Sequence, residues 1–189
     1  MTERKDRIFN LLKETKRAGI EDLLDYMDKG GFFDAPCSTR YHLAEPGGLA
    51  QHSLNVLTTA LAMASTLHSK TGASPITFDF INSITICALL HDLGKMGQFG
   101  KPQYTTEEVP FADPGEAFYS TNKDLLYVPH EVRSVAIASK FIDLTEEEQH
   151  AILYHNGLYG ELQSIKGKET PLYMILHFAD MWASRVIEE

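Results

Sequence analysis

Apolar residues recur at helical spacing along most of the chain. Residues 4 to 14 carry Ile8, Leu11 and Leu12 on one face. After Gly19, Ile20, Leu23, Leu24 and Met27 form a second short stripe that ends at Gly30-Gly31. Residues 32 to 48 lose the period and gain Pro36, Pro46 and two glycines, which reads as an ordered loop. From Leu49 the pattern predicts a helix to about Thr71, with Leu54, Leu57, Leu61, Ala64 and Leu67 as its buried stripe. Thr71-Gly72-Ala73-Ser74-Pro75 reads as a turn. A core helix is expected from about Phe78 to Leu93, stopped by Gly94.

Residues 96 to 129 are rich in Gly, Pro and polar groups. They hold Gln103-Tyr104-Thr105 and Ala117-Phe118-Tyr119-Ser120, read as a small β-hairpin or lid. Three helices are expected to close the chain, over about 130–142, 146–156 and 170–187. Thr145 and Glu148 form a capping box at the start of the middle one. The fold class is therefore all-α, a helical bundle with a loop-rich insertion. With 189 residues and no repeat or linker, a single domain is expected over 1–189: N-terminal helices to residue 31, a core over 33–187 and the insertion at 96–129.

Charge and cysteine content narrow the function classes. Seventeen basic against 26 acidic residues leave a net charge of −9, which argues against a broad electrostatic footprint on DNA or RNA. Binding to duplex nucleic acid is not expected. A small phosphorylated substrate remains compatible, because a bound cation reverses the field locally. Cys37 lies in a polar loop and Cys87 in an apolar run, so there is neither a disulfide framework nor a CxxC pattern. That fits a reducing cytosol. The charged N-terminus has no signal-peptide core behind it. Apolar runs such as Ile86–Leu90 fall far short of the roughly 20 residues that span a bilayer, so a cytoplasmic protein without membrane contact is expected.

The informative residues are polar ones on faces that the pattern reserves for apolar ones. His91 follows Ile84 and Cys87 at i+7 and i+4 and so points inward, with Asp92 about 100° around the helix. An ionised carboxylate buried there needs a cation or hydrogen-bond donors. Asp180 repeats the anomaly beside Leu176 and Ala183. His52 sits in the first turn of the long helix, His130 opens a helix after Pro129, and His155 closes one with Ala151 and Ile152 on its face. Singly, each has a plain structural explanation: a helix cap, a salt bridge, a packed core histidine, or a partner of the helix macrodipole. Together, these imidazoles and carboxylates make a ligand set of intermediate hardness, suited to Mn, Fe, Co, Ni, Zn or Mg.

The order His52, His91-Asp92, Asp180 resembles the signature of the HD superfamily of metal-dependent phosphohydrolases. The contexts Gly-Gly-Leu-Ala-Gln-His-Ser, Ala-Leu-Leu-His-Asp-Leu-Gly-Lys and Ala-Asp-Met-Trp-Ala-Ser carry the resemblance, which covers about residues 33 to 187. It implies that His52, His91, Asp92 and Asp180 bind one divalent metal, with Asp92 able to bridge to a second. His130 and His155 match the additional histidines of binuclear members. Lys95 matches the lysine that reaches a substrate phosphate. The loop Ser38-Thr39-Arg40-Tyr41-His42 with Gly47-Gly48 is similar to a group of small bacterial and phage HD proteins. It is also similar to the HD domain of bacterial 3′→5′ exoribonucleases. The Gly-Tyr-Pro signature of cyclic-di-GMP phosphodiesterases is absent, since Asn156-Gly157-Leu158-Tyr159-Gly160 follows His155.

The resemblance implies one or two divalent ions and hydrolysis of a nucleotide or other small phosphate ester by metal-activated water. Asp92, Lys95 and Arg40 are the catalytic candidates, the two cations standing against charge on the phosphoryl oxygens. Arg40 also reads as a plain surface arginine, and Phe32, Phe33 and Tyr41 as packing residues or as a platform for a base. Two other readings stay open: a non-catalytic metal- and nucleotide-binding regulatory module, and a di-iron HD-fold oxygenase. Neither the substrate nor the oligomeric state is legible.

Overall fold

The long helix predicted from Leu49 is the spine of the molecule. In a computed structural model, which describes residues 2–71, 76–107, 118–157, 165 and 167–188, it runs as α3 (Gly48–Thr71). Before it come α1 (Thr2–Glu14) and α2 (Ile20–Lys29); after it comes α4 (Phe78–Leu90), whose first turn is capped by Thr77 accepting from the Phe80 N–H. A 3₁₀ turn, Leu93–Met96, follows. Then come β1 (Tyr104–Glu107) and β2 (Phe118–Thr121), α5 (His130–Ala138), α6 (Glu146–Tyr154) and α7 (Pro171–Trp182), which ends in a π turn, Ala183–Ile187. α4 and α7 pack along α3, α6 packs on α7, and α5 packs on the 3₁₀ turn. The fold is a helical bundle with a small hairpin, as its hydrophobic pattern predicts.

The core lies where those helices meet. Every residue from Ile84 to Leu90 is buried, together with Leu54, Leu57 and Ala64 of α3 and Leu172, Ile175, Leu176 and Ala179 of α7. Phe32 and Phe33 also pack into this core, so they are not a platform for a base. The stripe of α3 ends earlier than expected: Leu67 is half exposed in an open apolar groove beside Phe178 and Trp182, because the helix outruns the core that α7 supplies. The hairpin pairs Tyr104 with Thr121 and Glu107 with Phe118, antiparallel. Residues 108–117, including Ala117, and Gly72–Pro75 of the expected turn lie outside the described residues.

Helix boundaries depart from the periodic reading where the chain must turn toward another element. α4 ends at Leu90 rather than Leu93. Asp92 leaves helical geometry at φ −101°, ψ 12°, and the backbone tightens into the 3₁₀ turn. Tightening sets Gly94 directly on α5: its N–H donates to Ser134 Oγ at 2.8 Å, and a Cβ there would strike the His130 carbonyl. Gly94 is thus a close-approach residue inside the turn, not the helix stop. α5 ends at Ala138, short of 142, where the backbone tightens: the Lys140 and Phe141 N–H groups bond back three residues, to the Ile137 and Ala138 carbonyls, and the Phe141 carbonyl packs against Gly19, where φ is +84° and no Cβ would fit. α6 ends at Tyr154 and leaves His155 as its C-cap. The capping box forms as expected, Thr145 Oγ1 accepting from the Glu148 N–H and Glu148 Oε2 from the Thr145 N–H.

Glu148 also ties the N-terminal segment to the bundle. Its buried carboxylate accepts from both terminal nitrogens of Arg17, at 2.9 and 2.7 Å, and from Ser83 Oγ at 2.8 Å. Burial disfavours the ionised form, but Arg17, the Thr145 amide and Ser83 outweigh it and hold the Glu148 pKa below the usual range. Arg17→Met should therefore cost about 3 kcal/mol, because it strands a buried carboxylate. Converting Glu148 to Met as well should recover part of that loss. Since the native pKa is depressed, the pair's contribution is complete above the unfolded value of about 4.3 and is lost as pH falls through the native value. Urea melts of the three variants at neutral and acid pH check both statements.

Candidate metal centre

Asp92 is the middle of the site, and its two oxygens look in different directions. Oδ2 lies 3.5 Å from His52 Nε2, 3.4 Å from His91 Nε2 and 2.7 Å from Lys95 Nζ. Oδ1 lies 3.1 Å from His130 Nε2 and 3.5 Å from His155 Nε2. Asp180 Oδ1 joins the first group, 3.1 Å from His52 Nε2, and the two Nε2 atoms of His52 and His91 are 3.2 Å apart. These side chains come from the second turn of α3, the end of α4 and the 3₁₀ turn after it, the start of α5, the end of α6 and the last turn of α7.

The histidines are oriented by their other nitrogens. His91 Nδ1 donates to the Ala88 carbonyl at 2.9 Å, and His155 Nδ1 donates to the Ile152 carbonyl at 2.8 Å. A carbonyl only accepts, so each Nδ1 carries a proton and each Nε2 is the nitrogen left to face the centre. His52 Nδ1 stands 2.9 Å from Glu188 Oε2 and 3.1 Å from Oε1, which has the same effect. Carboxylates and carbonyls behind imidazoles are the usual outer support of metal-binding histidines.

The donor set fits a divalent cation. Adjacent ligand atoms around a metal with bonds of about 2.0–2.1 Å stand about 3 Å apart, which is the spacing of His52 Nε2 from His91 Nε2 and from Asp180 Oδ1. Three overlapping sets among the described residues have ligand atoms close enough to share an ion: His52, His91 and Asp180; His91, Asp92 and His155; and Cys37, His42 and His52. Asp92 Oδ1 is buried and accepts no hydrogen bond of good geometry among the described residues, an orphan that a cation would satisfy.

Without an ion, the centre's own charges compensate one another. Burial opposes protonation of His52 and His155, but Cys37, Asp180 and Glu188 raise the His52 pKa well above its usual value, and Asp92 and Asp180 raise that of His155, so a metal ion would have to displace those protons. Burial works against an ionised Asp92, yet Lys95 and the surrounding histidines hold its pKa well below the usual carboxylate range. Burial likewise opposes Asp180, and His52, His91 and His155 hold it low. Desolvation lowers the His91 pKa, which favours the neutral ring a metal requires.

A cleft of about 350 Å³ opens onto this centre, with Lys95, Asp180, Tyr41, His42, Asn156 and Arg185 in its wall. The structure thus brings together His52, His91, Asp92, Lys95, His130, His155 and Asp180. Arg40 is not among them: it is exposed on the outside of its loop and does not line the cleft, because the loop turns Cys37 and His42 inward instead. Arg185 takes the place in the wall that was expected of Arg40.

A model of the HD domain family matches residues 49–180, most of the chain. The chain belongs to the HD domain family. HD domains typically are metal-dependent hydrolases and bind divalent metals. Over 154 residues the chain is 29% identical to the 3′-5′ exoribonuclease YhaM of Geobacillus sp. (strain WCH70). The alignment covers 79% of this HD chain but only 41% of that relative. No solved structure matches significantly. Among the described residues, no helix of this HD protein is long and apolar enough to cross a membrane.

Glu188 is the residue that the helical pattern does not reveal. It reaches His52 because α7 widens into the π turn, where the Glu188 N–H bonds back to the Ala183 carbonyl. Asn55 Nδ2 donates to its Oε1 at 2.9 Å. One sequence signal existed: an acidic residue at a helix C-terminus opposes the macrodipole and so calls for a partner. Burial disfavours the Glu188 carboxylate, but His52 and Asn55 hold its pKa low. Glu188→Gln keeps the shape and removes the charge behind His52. It should weaken metal binding about 10–100-fold. A Mn²⁺ titration with unchanged affinity would remove Glu188 from the centre's support.

Proposed function

We propose that this HD protein hydrolyses a nucleotide or another small phosphate ester with two divalent ions at Asp92. The observation that carries the reading is the division of the Asp92 carboxylate, Oδ2 toward His52 and His91, with Asp180 against His52, and Oδ1 toward His130 and His155. In this reading His52, His91 and Asp180 would hold one ion and His130 and His155 the other, with an Asp92 oxygen facing each group. Bound divalent ions lower the pKa of a coordinated water and neutralise charge on phosphoryl oxygens.

The remaining work falls to the chain. Lys95 is held beside Asp92 at 2.7 Å and forms part of the cleft wall, so its ammonium stands where a substrate phosphate would enter. Burial alone would lower its pKa; Asp92 reverses that and keeps Lys95 charged. Arg185 adds a second cation at the wall, and Tyr41, largely exposed there, offers an aromatic face. The cleft volume lies at the lower end of the range for small-molecule sites, which supports a small ester. The net charge of −9 points away from extended nucleic acid. The exoribonuclease relative supports phosphodiester chemistry on a nucleotide.

The test is a panel of nucleoside monophosphates, cyclic nucleotides, dinucleotides and single-stranded RNA, run with each divalent metal. Metal-dependent turnover of a small ester is expected. Processive degradation of RNA with no turnover of small esters would contradict the substrate class. Oxygen uptake by the iron-loaded protein without phosphate release would contradict the reaction. His130→Ala combined with His155→Ala should lower turnover by at least about 100-fold while leaving one ion bound, because the other group of ligands is intact. Loss of both ions, or full activity with one, would break the assignment of the two ions.

A further inference from the structure

The two cysteines occupy different environments. Cys87 packs inside the apolar core, whereas Cys37, equally buried, does not belong to it. Its neighbours are polar: His42 Nε2 at 3.4 Å, Asp92 Oδ2 at 3.9 Å and Lys95 Nζ at 3.9 Å. A cysteine used only as a small apolar filler has no need of those neighbours.

The loop between α2 and α3 builds this arrangement. The Cys37 N–H donates to the Leu43 carbonyl at 3.0 Å, closing the segment on itself. Ser38 Oγ donates to the His42 carbonyl and accepts from the Tyr41 N–H. The closed loop turns Cys37 Sγ and His42 Nε2 toward each other, and the His42 ring sits 5.0 Å from that of His52. Ligand atoms of Cys37, His42 and His52 all lie within 4.8 Å of one another. Tetrahedral zinc, with bonds of about 2.3 Å to sulfur and 2.0–2.1 Å to nitrogen, holds adjacent S and N atoms about 3.5 Å apart. The 3.4 Å separation of Cys37 and His42 matches that edge.

We propose that Cys37 and His42, together with His52, form a separate site for a thiophilic divalent cation such as Zn²⁺, and that filling it displaces the metal of the HD centre. The thiolate selects softer ions than the imidazole–carboxylate set beside it does. When the sulfur–metal bond forms, the thiol proton leaves to water. Competition follows from shared His52: its Nε2 faces Asp180 and His91, and its Nδ1 faces Glu188. Whichever nitrogen the softer ion takes, His52 is drawn from the centre or from the carboxylate that orients it. The proposal takes the ligands of the HD centre as given but not its hydrolytic activity.

Cd²⁺ is the probe, added to the Mn²⁺-loaded protein while the ultraviolet thiolate-to-cadmium band and the released Mn²⁺ are followed together. A saturable band at one equivalent is expected, rising in step with Mn²⁺ release. Cys37→Ser should abolish the band and keep Mn²⁺ bound, which also shows that the variant is folded. His42→Ala should weaken Cd²⁺ by more than about tenfold. Asp180→Ala should lose Mn²⁺ affinity and keep the band, separating this site from the hydrolytic reading. Absence of the band, its survival in Cys37→Ser, or a full band with no Mn²⁺ release would overturn the proposal.

Discussion

A carboxylate without solvent is costly, and Asp92 is almost fully buried at the meeting point of the bundle. Its surroundings therefore have to be positive, or able to hold positive ions, on every side. Lys95 and the imidazoles of His52, His91, His130 and His155 meet that demand within 3.5 Å. The consequence runs outward. Each imidazole must present Nε2 to the centre, so each needs a partner for Nδ1, and those of His52, His91 and His155 are found in Glu188 and in the carbonyls of Ala88 and Ile152. Helix ends are the natural places to supply such geometry, and His91 and His155 stand at two of them.

Two irregular turns deliver the site. The 3₁₀ turn after α4 brings Asp92 and Lys95 onto one point and presses Gly94 against α5, which fixes His130 and Ser134 beside them. The π turn after α7 carries Glu188 back to His52 and Asn55. Regular α-helix would have sent both segments elsewhere. Stability and function meet here, because a change that straightens either turn also separates charges that are buried only as a group.

The helical period made the bundle legible, since α1 to α4 and α5 to α7 are amphipathic or wholly apolar at the expected places. The metal-binding candidates were legible for the opposite reason: His91, Asp92 and Asp180 break the apolar pattern on inward faces. Boundaries were less so, because Gly94 reads locally as a helix stop and acts through contact with α5, a partner forty residues away in the chain. Arg40 and Arg185 show the same limit. Local composition cannot say which way a loop faces, and the pairing of Cys37 with His42 turns that loop's polar side chains inward while Arg40 stays outside. Glu188 was hidden because its role depends on a widened turn that no periodicity announces.

The proposed site asks one buried carboxylate to serve two cations at once. The most direct measurement is electron paramagnetic resonance of the protein titrated with Mn²⁺ to saturation. Two ions per chain and an exchange-coupled spectrum are expected if both ions share Asp92. A single ion at saturation, or two ions with the spectra of isolated Mn²⁺, would contradict that sharing.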